Sequence, residues 1–513
     1  MAPAASANPE MTVEVTQFRF TGNTALSSEE LASVLKNFPG RSLTMEQLNR
    51  AAEEVQALYR SRGWFLARAY LPPQTPRDGV VVIAVLEGRI DKVSVTVAPG
   101  APISQASAQA FANAHLHKGQ SITDRDIEKP LLLLRDVPRV AAKSVLEPGS
   151  EAGTANVNIE VGTDSTTPIV GGRVELDNYG TPATGRVRLT GEVDVNNPFG
   201  VGDALSVRAF IANEQDNTFG RASYTFPLGP YGTRLGASVA RLNYVLGNEF
   251  AALGPQGTAN VASLNASHPL MRSKDANLLA QFVVERKRLK DEIAAFNSVE
   301  TSKLNAITFS LNGDFRDSPA TANQVSLSVS NGRLTFNDPL RQANDQSPEV
   351  GLHQAGFYTK TMLNARRVHM FSNGMQTLMT LQAQASNKNL PGAEKFALGG
   401  TANVRAFPIG EVIGDSGYAL TLELQTPFPS LSSSSCTTAA TVFYDFGRAT
   451  INHNRPPAYT GFNARSIGGP GGGLNVDCAR GFMMRFSVAA ATQGEPDGAS
   501  GTMRAWLMAG YGF

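Results

Sequence analysis

A chain of 513 residues is too long for one ordinary hydrophobic core and has to divide into domains. Its 45 Lys and Arg balance 44 Asp and Glu, a net charge of +1 without any polybasic run, which removes the electrostatic footprint of a nucleic-acid binder. Mean hydropathy is −0.15 and no apolar run approaches the ~18 residues of a spanning helix, so a helical membrane protein is excluded; a membrane β-barrel, whose outward and inward residues average to mild polarity, is not.

The opening MAPAASANPE, residues 1–10, has neither the charged region nor the apolar stretch of a signal peptide. It reads as a flexible mature terminus left after signal removal, with an added Met. Over 11–89 the apolar period changes in order. Val13, Val15, Phe18 and Phe20 alternate as a strand, and Thr21-Gly22-Asn23 turns the chain. Ser27 or Ser28 caps a helix with Leu31, Val34 and Leu35 on its apolar face. A second helix from Thr44 to Arg62 carries Leu48, Ala51, Ala52, Val55, Leu58 and Tyr59 on one stripe, and Gly63 stops it. Strands at Trp64 to Leu71 and Val80 to Leu86 close a small α+β layer. This order, with Gly63-Trp64-Phe65 after the second helix and Glu87-Gly88-Arg89-Ile90 after the last strand, resembles a POTRA domain, which implies a periplasmic module that receives a secreted client.

A second unit of the same kind spans 90–162, with a strand at Lys92 to Val97, helices at Ile103 to His115 and Thr123 to Val137, and strands at Ala142 to Glu147 and Asn156 to Val161. A small sheet leaves an edge strand unpaired, open to strand addition by an extended peptide. The alternative is a domain that only spaces or braces its neighbour.

From 163 to 513 helical signals give way to alternation. Val187, Leu189, Val193 and Val195 fall on one face while Arg186, Arg188, Thr190, Glu192 and Asp194 fall on the other. Tyr418 to Gln425 and Phe482 to Val488 repeat the pattern. Mid-strand charges such as Glu192, Glu423 and Arg485 would be costly in a dry sandwich core and suit a water-filled lumen. At roughly 22 residues per strand and loop, this length makes about 16 antiparallel strands, an even number typical of bacterial barrels. The final strand places Met503, Ala505, Leu507, Ala509, Tyr511 and Phe513 on one apolar face.

Two stretches then stand out. In Phe396 to Gly417 an arginine sits in a glycine-flanked loop (Gly399, Gly400, Val404, Arg405, Ala406, Phe407), and downstream Phe443-Tyr444-Asp445 frames an acid with aromatics on a strand. Together they suggest a buried ionic lock that keeps a long loop folded into a pore. Val404-Arg405-Ala406-Phe407 resembles the Val-Arg-Gly-Tyr/Phe signature of the sixth extracellular loop in two-partner secretion outer-membrane transporters, and Phe443-Tyr444-Asp445 resembles that family's Phe-x-Asp strand motif. The resemblance implies a contact between Arg405 and Asp445 on the inner wall. Ala406 departs from the family's glycine, so either the tip geometry differs or this position does not need positive φ.

Asp177-Asn178-Tyr179-Gly180, Asn197-Pro198-Phe199-Gly200, Gly202-Asp203, Tyr224 to Gly229 and His268-Pro269-Leu270 look like the family's barrel hairpins in the same order. Tyr511 and Phe513 resemble the C-terminal signal read by the barrel assembly machinery. The resemblance implies a monomer in outer-membrane lipids of a Gram-negative bacterium, with two POTRA domains in the periplasm. Its partner would be a large exoprotein with an N-terminal secretion domain, passed through the barrel without nucleotide or cofactor. Family members commonly carry an N-terminal plug helix and linker; about ten residues before the first strand are too few for both. A trimmed or absent plug would leave the pore more readily conducting.

Cys436 and Cys478 permit one disulfide or two unpaired thiols. Counting strand directions back from a periplasmic C-terminus puts Cys436 in the turn after Tyr418 to Thr426 and Cys478 at the far end of a strand from Gly471 to Val476, both on the oxidising side, where they are expected to pair. Other chemistry is set aside. Gly414-Asp415-Ser416-Gly417 imitates a serine-protease nucleophile motif but is followed by Tyr418-Ala419 and lies in the loop stretch. Gly468 to Gly473 lacks the Lys-Ser/Thr of a phosphate-binding loop and reads as a flexible loop entering a strand. His115 and His117 are an isolated pair, so no metal site is expected. Two alternatives stay open: an outer-membrane insertase, and a passive porin with periplasmic domains.

Overall fold

The computed structural model describes residues 12–213, 217–494 and 502–513, so the terminal segment 1–10 lies outside the described residues. The chain forms two compact units, Met1–Asp164 and Ser165–Phe513.

The first unit holds two α+β lobes. The first runs β1 (Thr12–Val15), β2 (Gln17–Thr21), α1 (Ser28–Val34), β3 (Arg41–Thr44), α2 (Met45–Ser61), β4 (Arg68–Tyr70) and β5 (Val80–Leu86). The caps that begin its helices are encoded locally: Ser27 with Glu30, and Thr44 with Gln47, form reciprocal capping boxes. Leu31, Val55, Tyr59 and Ile83 are fully buried between the helices and a sheet of order β2-β5-β4. The strand expected from Trp64 shrinks to three residues, because Gly63 ends α2 at φ +94° and backbone bonds from Trp64 to Tyr59 and from Ala67 to Trp64 make 64–67 a turn. β3, which pairs with β1, was not foreseen.

The second lobe repeats the order with β6 (Arg89–Val97), α3 (Gln105–Asn113), α4 (Asp124–Arg135), β7 (Val140–Pro148) and β8 (Thr154–Thr163). Its sheet runs β6-β8-β7, leaving β7, nine residues long, with one free edge.

In the second unit sixteen strands close a barrel. They begin β9 (Val170–Asp177), β10 (Arg188–Asn196), β11 (Ala204–Ala212), β12 (Thr218–Pro227), β13 (Arg234–Val245) and β14 (Pro255–Arg272). There follow β15 (Ala276–Ile293), β16 (Ser298–Ser318), β17 (Thr321–Phe336), a loop helix α5 (Pro339–Asp345), β18 (Gly356–Met370) and β19 (Gln376–Ser386). A small hairpin, β20 (Phe396–Leu398) with β21 (Val412–Gly414), stands apart from the wall. The barrel resumes with β22 (Ser416–Pro427), β23 (Cys436–Thr450), β24 (Ala464–Cys478), β25 (Phe482–Ala490) and β26 (Met503–Gly512). Phe513 exchanges two backbone hydrogen bonds with Gly172, closing β26 on β9.

Leu189, Val193, Phe486, Leu507, Tyr511 and Phe513 are exposed on the outer face, as alternation requires. Inward, charges pair: Arg173 with Glu192, Arg188 with Asp177, and Arg485 with Asp477. Among the described residues no helix is long and apolar enough to cross a membrane.

Two expectations need correction. Gly468 to Gly473 is no flexible loop; all six residues lie inside β24, pairing with β23. His268-Pro269-Leu270 is no hairpin; it lies inside β14, where proline's missing N–H coincides with a shift in register between Pro269 and Met271.

Candidate functional site

Between β19 and β22 the chain leaves the wall and folds back against lumen-facing residues. Its apex, between β20 and β21, depends on two glycines: Gly399 at φ +103° and Gly400 at +83°. A Cβ on Gly399 would stand 1.9 Å from the Pro408 carbonyl oxygen, and one on Gly400 2.3 Å from Ile409. Asn403 holds the turn, its Oδ1 accepting from the N–H groups of Gly399 and Val404 while its Nδ2 donates to the Ala397 carbonyl. Ala406 does not have positive φ, so the alanine fits this backbone without strain.

The loop delivers Arg405 to the wall. Its Nε donates to Asp445 Oδ2 at 2.8 Å and its Nη2 to Oδ1 at 3.0 Å, a bidentate pair. The Arg405 backbone N–H donates to the same carboxylate at 3.0 Å, and so does the Thr421 hydroxyl at 3.0 Å. Nη1 reaches Glu423 Oε2 at 2.8 Å. The guanidinium carbon lies 3.2 Å from the centre of the Phe443 ring, whose face attracts the cation. Trp506 donates its indole N–H to the Arg405 carbonyl at 2.7 Å. Asp445 is fully buried and Arg405 retains 15% exposure, so this charge cluster is held away from bulk water and satisfied by its own partners.

The wall is shaped for the loop. Asp445 on β23 faces Thr421 on β22 and Gly469 on β24 in register. A Cβ on Gly447 would meet Leu398 at 2.7 Å, one on Gly469 would meet the Ala490 carbonyl oxygen at 1.9 Å and Ala406 at 3.1 Å, and one on Gly471 would meet the Phe443 ring at 2.2 Å. The glycines of β24 and Gly447 therefore let Val404, Ala406 and Phe407, all fully buried, lie flat against the strands with Leu398, Ala449 and Ile467.

A second tether secures the base of the loop. Glu394 accepts from Lys287 on β15 at 2.7 Å and from Lys360 on β18 at 2.6 Å. Asp415, fully buried, pairs with Lys395 and accepts the backbone N–H groups of Leu390 and His453. The protease-like Asp415-Ser416 step is thus structural wiring: Ser416 Oγ accepts from the Ser386 N–H.

Arg405, Asp445, Phe443, Val404, Ala406, Phe407, Gly399 and Gly400 come together in one place. Cys436 and Cys478 stand apart as registered partners at the ends of β23 and β24, joined by a disulfide; Cys436 opens its strand and does not lie in the preceding turn. Tyr511 and Phe513 face outward, away from the loop. Glu423, Trp506, Thr421, Asn403 and Glu394 were missed as partners. For Trp506 a signal existed, since its parity is opposite to the outward Leu507 and Tyr511, which turns it to the lumen.

A family model described as haemolysin secretion/activation protein ShlB/FhaC/HecB matches residues 153–474, and a ShlB-type POTRA domain model matches residues 13–88. The chain is 27% identical over 470 residues to the heme/hemopexin transporter protein HuxB of Haemophilus influenzae (strain 86-028NP), covering 91% of this chain and 81% of that protein. It is 24% identical over 422 residues to the outer membrane transporter CdiB of Dickeya dadantii (strain 3937), covering 78% and 70%. The solved structure of CdiB from Escherichia coli matches in fold with a TM-score of 0.75 at 21% identity, over 100% of this chain and 93% of that one. With more than half its length matched by the family model, the chain belongs to the ShlB/FhaC/HecB haemolysin secretion/activation family and is an outer-membrane transporter of two-partner secretion, its POTRA module periplasmic.

Proposed function

We propose that this chain exports one large exoprotein, bearing an N-terminal secretion domain, and that it works as a conduit without nucleotide, metal or enzymatic chemistry. Both α+β lobes act as POTRA domains, and the client pairs as an added strand along a free sheet edge, such as the nine-residue β7. The client then enters the lumen extended, and its folding outside supplies direction. The barrel assembly machinery reads Tyr511 and Phe513, and the inserted barrel stands as a monomer among outer-membrane lipids. The observation that carries the reading is the bidentate Arg405–Asp445 pair, which supports a latch on a loop lying where a client must pass. A passive porin gains nothing from such an obstruction; an exporter needs one to seal an idle pore.

The test is secretion of the exoprotein by cells carrying wild type, Arg405→Ala or Asp445→Ala, with barrel assembly followed by heat-modifiable gel mobility. Both variants are expected to assemble and to export poorly. Normal export by both would remove the latch from the mechanism. A wild-type chain that assembles, exports nothing and speeds insertion of other barrels would replace export with insertase activity.

A further inference from the structure

Outside the lumen the barrel carries a constellation that the latch does not use. On the outward faces of β13 to β17, apolar side chains give way to cations at one level. The change runs from Val239 to Arg241 on β13 and from Val284 to Arg286, Arg288 and Lys290 on β15. It continues from Ile307 past Asn305 to Lys303 on β16, and from Val329 past Asn331 to Arg333 on β17. Strand register aligns them: Arg241, Asn260, Arg288 and Lys303 form one row, and Arg286, Asn305 and Arg333 the next.

All six cations are exposed. Lys290 pairs with Glu292, Arg241 donates to Asn243, and Arg333 lies over the Phe357 ring. Arg286, Arg288 and Lys303 have no carboxylate partner among the described residues. Beside them is a hollow of about 680 Å³, floored by Ala209, Gly220, Ala222 and Ala262 between Val207 and Val239, with Arg241, Arg286 and Arg288 along one side. Small side chains on neighbouring strands make the depression, and register carries it directly to the arginines: Val207, Ala222, Val239, Ala262 and Arg286 are successive partners.

The level of this cluster identifies its surroundings. β15 rises from the short turn at 273–275, the periplasmic end, towards the long-loop end. Arg286 stands beyond Leu278 by a run of tilted strand worth about 20 Å along the membrane normal, near the top of the ~25 Å apolar band. Unpaired arginines there face the headgroups of the outer leaflet, and guanidinium groups match phosphate in charge and in bidentate geometry.

We propose that this face binds a phosphorylated, multi-acyl glycolipid of the outer leaflet, with its phosphates on Arg286, Arg288 and Lys303 and an acyl chain in the hollow. The inference rests on the outer-membrane placement and not on the identity of any client. The test is titration of the delipidated full chain in mild detergent with a diphosphorylated lipid A-type glycolipid, read by native mass spectrometry. Wild type is expected to retain one molecule. An Arg286→Gln, Arg288→Gln, Lys303→Gln variant is expected to bind about tenfold more weakly or worse, while Arg173→Gln, whose cation pairs with Glu192 inside the barrel and does not line the hollow, leaves binding unchanged. Equal binding of the dephosphorylated glycolipid or of phosphatidylglycerol would overturn the proposal. So would displacement by inorganic phosphate alone, which would mark a simple anion site. Should the triple variant fail to assemble, the wild-type comparison of phosphorylated with dephosphorylated glycolipid decides the question. Because binding is read without an exoprotein, a negative result here leaves export untouched, and a failure of export leaves this result standing.

Discussion

At Asp445 four donors converge on one buried carboxylate: the Arg405 N–H, Nε and Nη2, and the Thr421 hydroxyl. Asp445→Asn keeps the size but removes the charge and half of the acceptor capacity, leaving the Arg405 cation with Glu423 as its remaining acidic partner. Breaking one side of a buried pair costs about 3–5 kcal/mol, so the docked loop should lose most of its advantage over the displaced one. The expected readout is frequent large openings in planar-bilayer recordings, with heat-modifiable mobility retained; recordings indistinguishable from wild type would show that packing alone holds the loop. A different residue governs the first lobe. Burial alone would push the Glu87 carboxyl up, but the N–H groups of Ala25 and Thr24 and the hydroxyls of Thr24 and Tyr59 outweigh it and hold Glu87 below its ordinary 4.5. A carboxyl depressed in the folded state stabilises fully above its unfolded value and loses that contribution as pH falls through the folded one. The lobe, followed by Trp64 fluorescence in a Trp506→Phe background, should therefore weaken as pH drops below about 4.5, and Glu87→Gln should be about 1–3 kcal/mol less stable at neutral pH and lack this acid step.

Among the elements, β24 shows how a strand is written to receive a loop. Its glycines looked like a flexible linker because glycine disfavours strands by propensity. Here the missing side chains are the function: Gly469 opposes Asp445 in register, where a Cβ would meet the Ala490 carbonyl oxygen at 1.9 Å and the Ala406 methyl at 3.1 Å, and Gly447 on the neighbouring β23 leaves room for Leu398 and Val404 of the loop. Gly447→Val fills that room, meeting only side chains of the loop, while leaving every ionic partner of Arg405 in place. It should raise leak conductance in an assembled barrel, whereas Gly191→Ala, where a Cβ meets nothing within 4 Å, should not. Unchanged conductance in Gly447→Val would mean that the loop shifts along the wall without leaving it.

For the whole molecule, the closing seam is the shortest ladder in the wall: β26 meets β9 over five residue pairs, while β10 meets β11 over nine. An exporter that passes its client through the lumen has no need to open this seam, and an insertase that hands strands to a client laterally does. Leu176 and Ala509 are registered partners across it. A Leu176→Cys, Ala509→Cys cross-link should therefore leave secretion of the exoprotein near wild type, and reversible loss of secretion on oxidation would favour lateral release.

Much of this architecture was legible in the sequence because its signals are local. A period of two places Leu189 and Glu192 on opposite faces of one strand without reference to any neighbour, and Ser27-x-x-Glu30 and Thr44-x-x-Gln47 cap helices within four residues. The Arg405 and Asp445 pair was legible for a different reason, a resemblance of two short motifs. What only the tertiary structure decided is which side chains meet across strands. Whether Glu423 or Glu192 faces Arg405, whether Trp506 reaches its carbonyl, and whether Lys287 and Lys360 find Glu394 all depend on strand register and on how the loop folds back. Register is set by the closed ladder as a whole, since shifting one strand by a residue would exchange its inner and outer faces and propagate around the barrel.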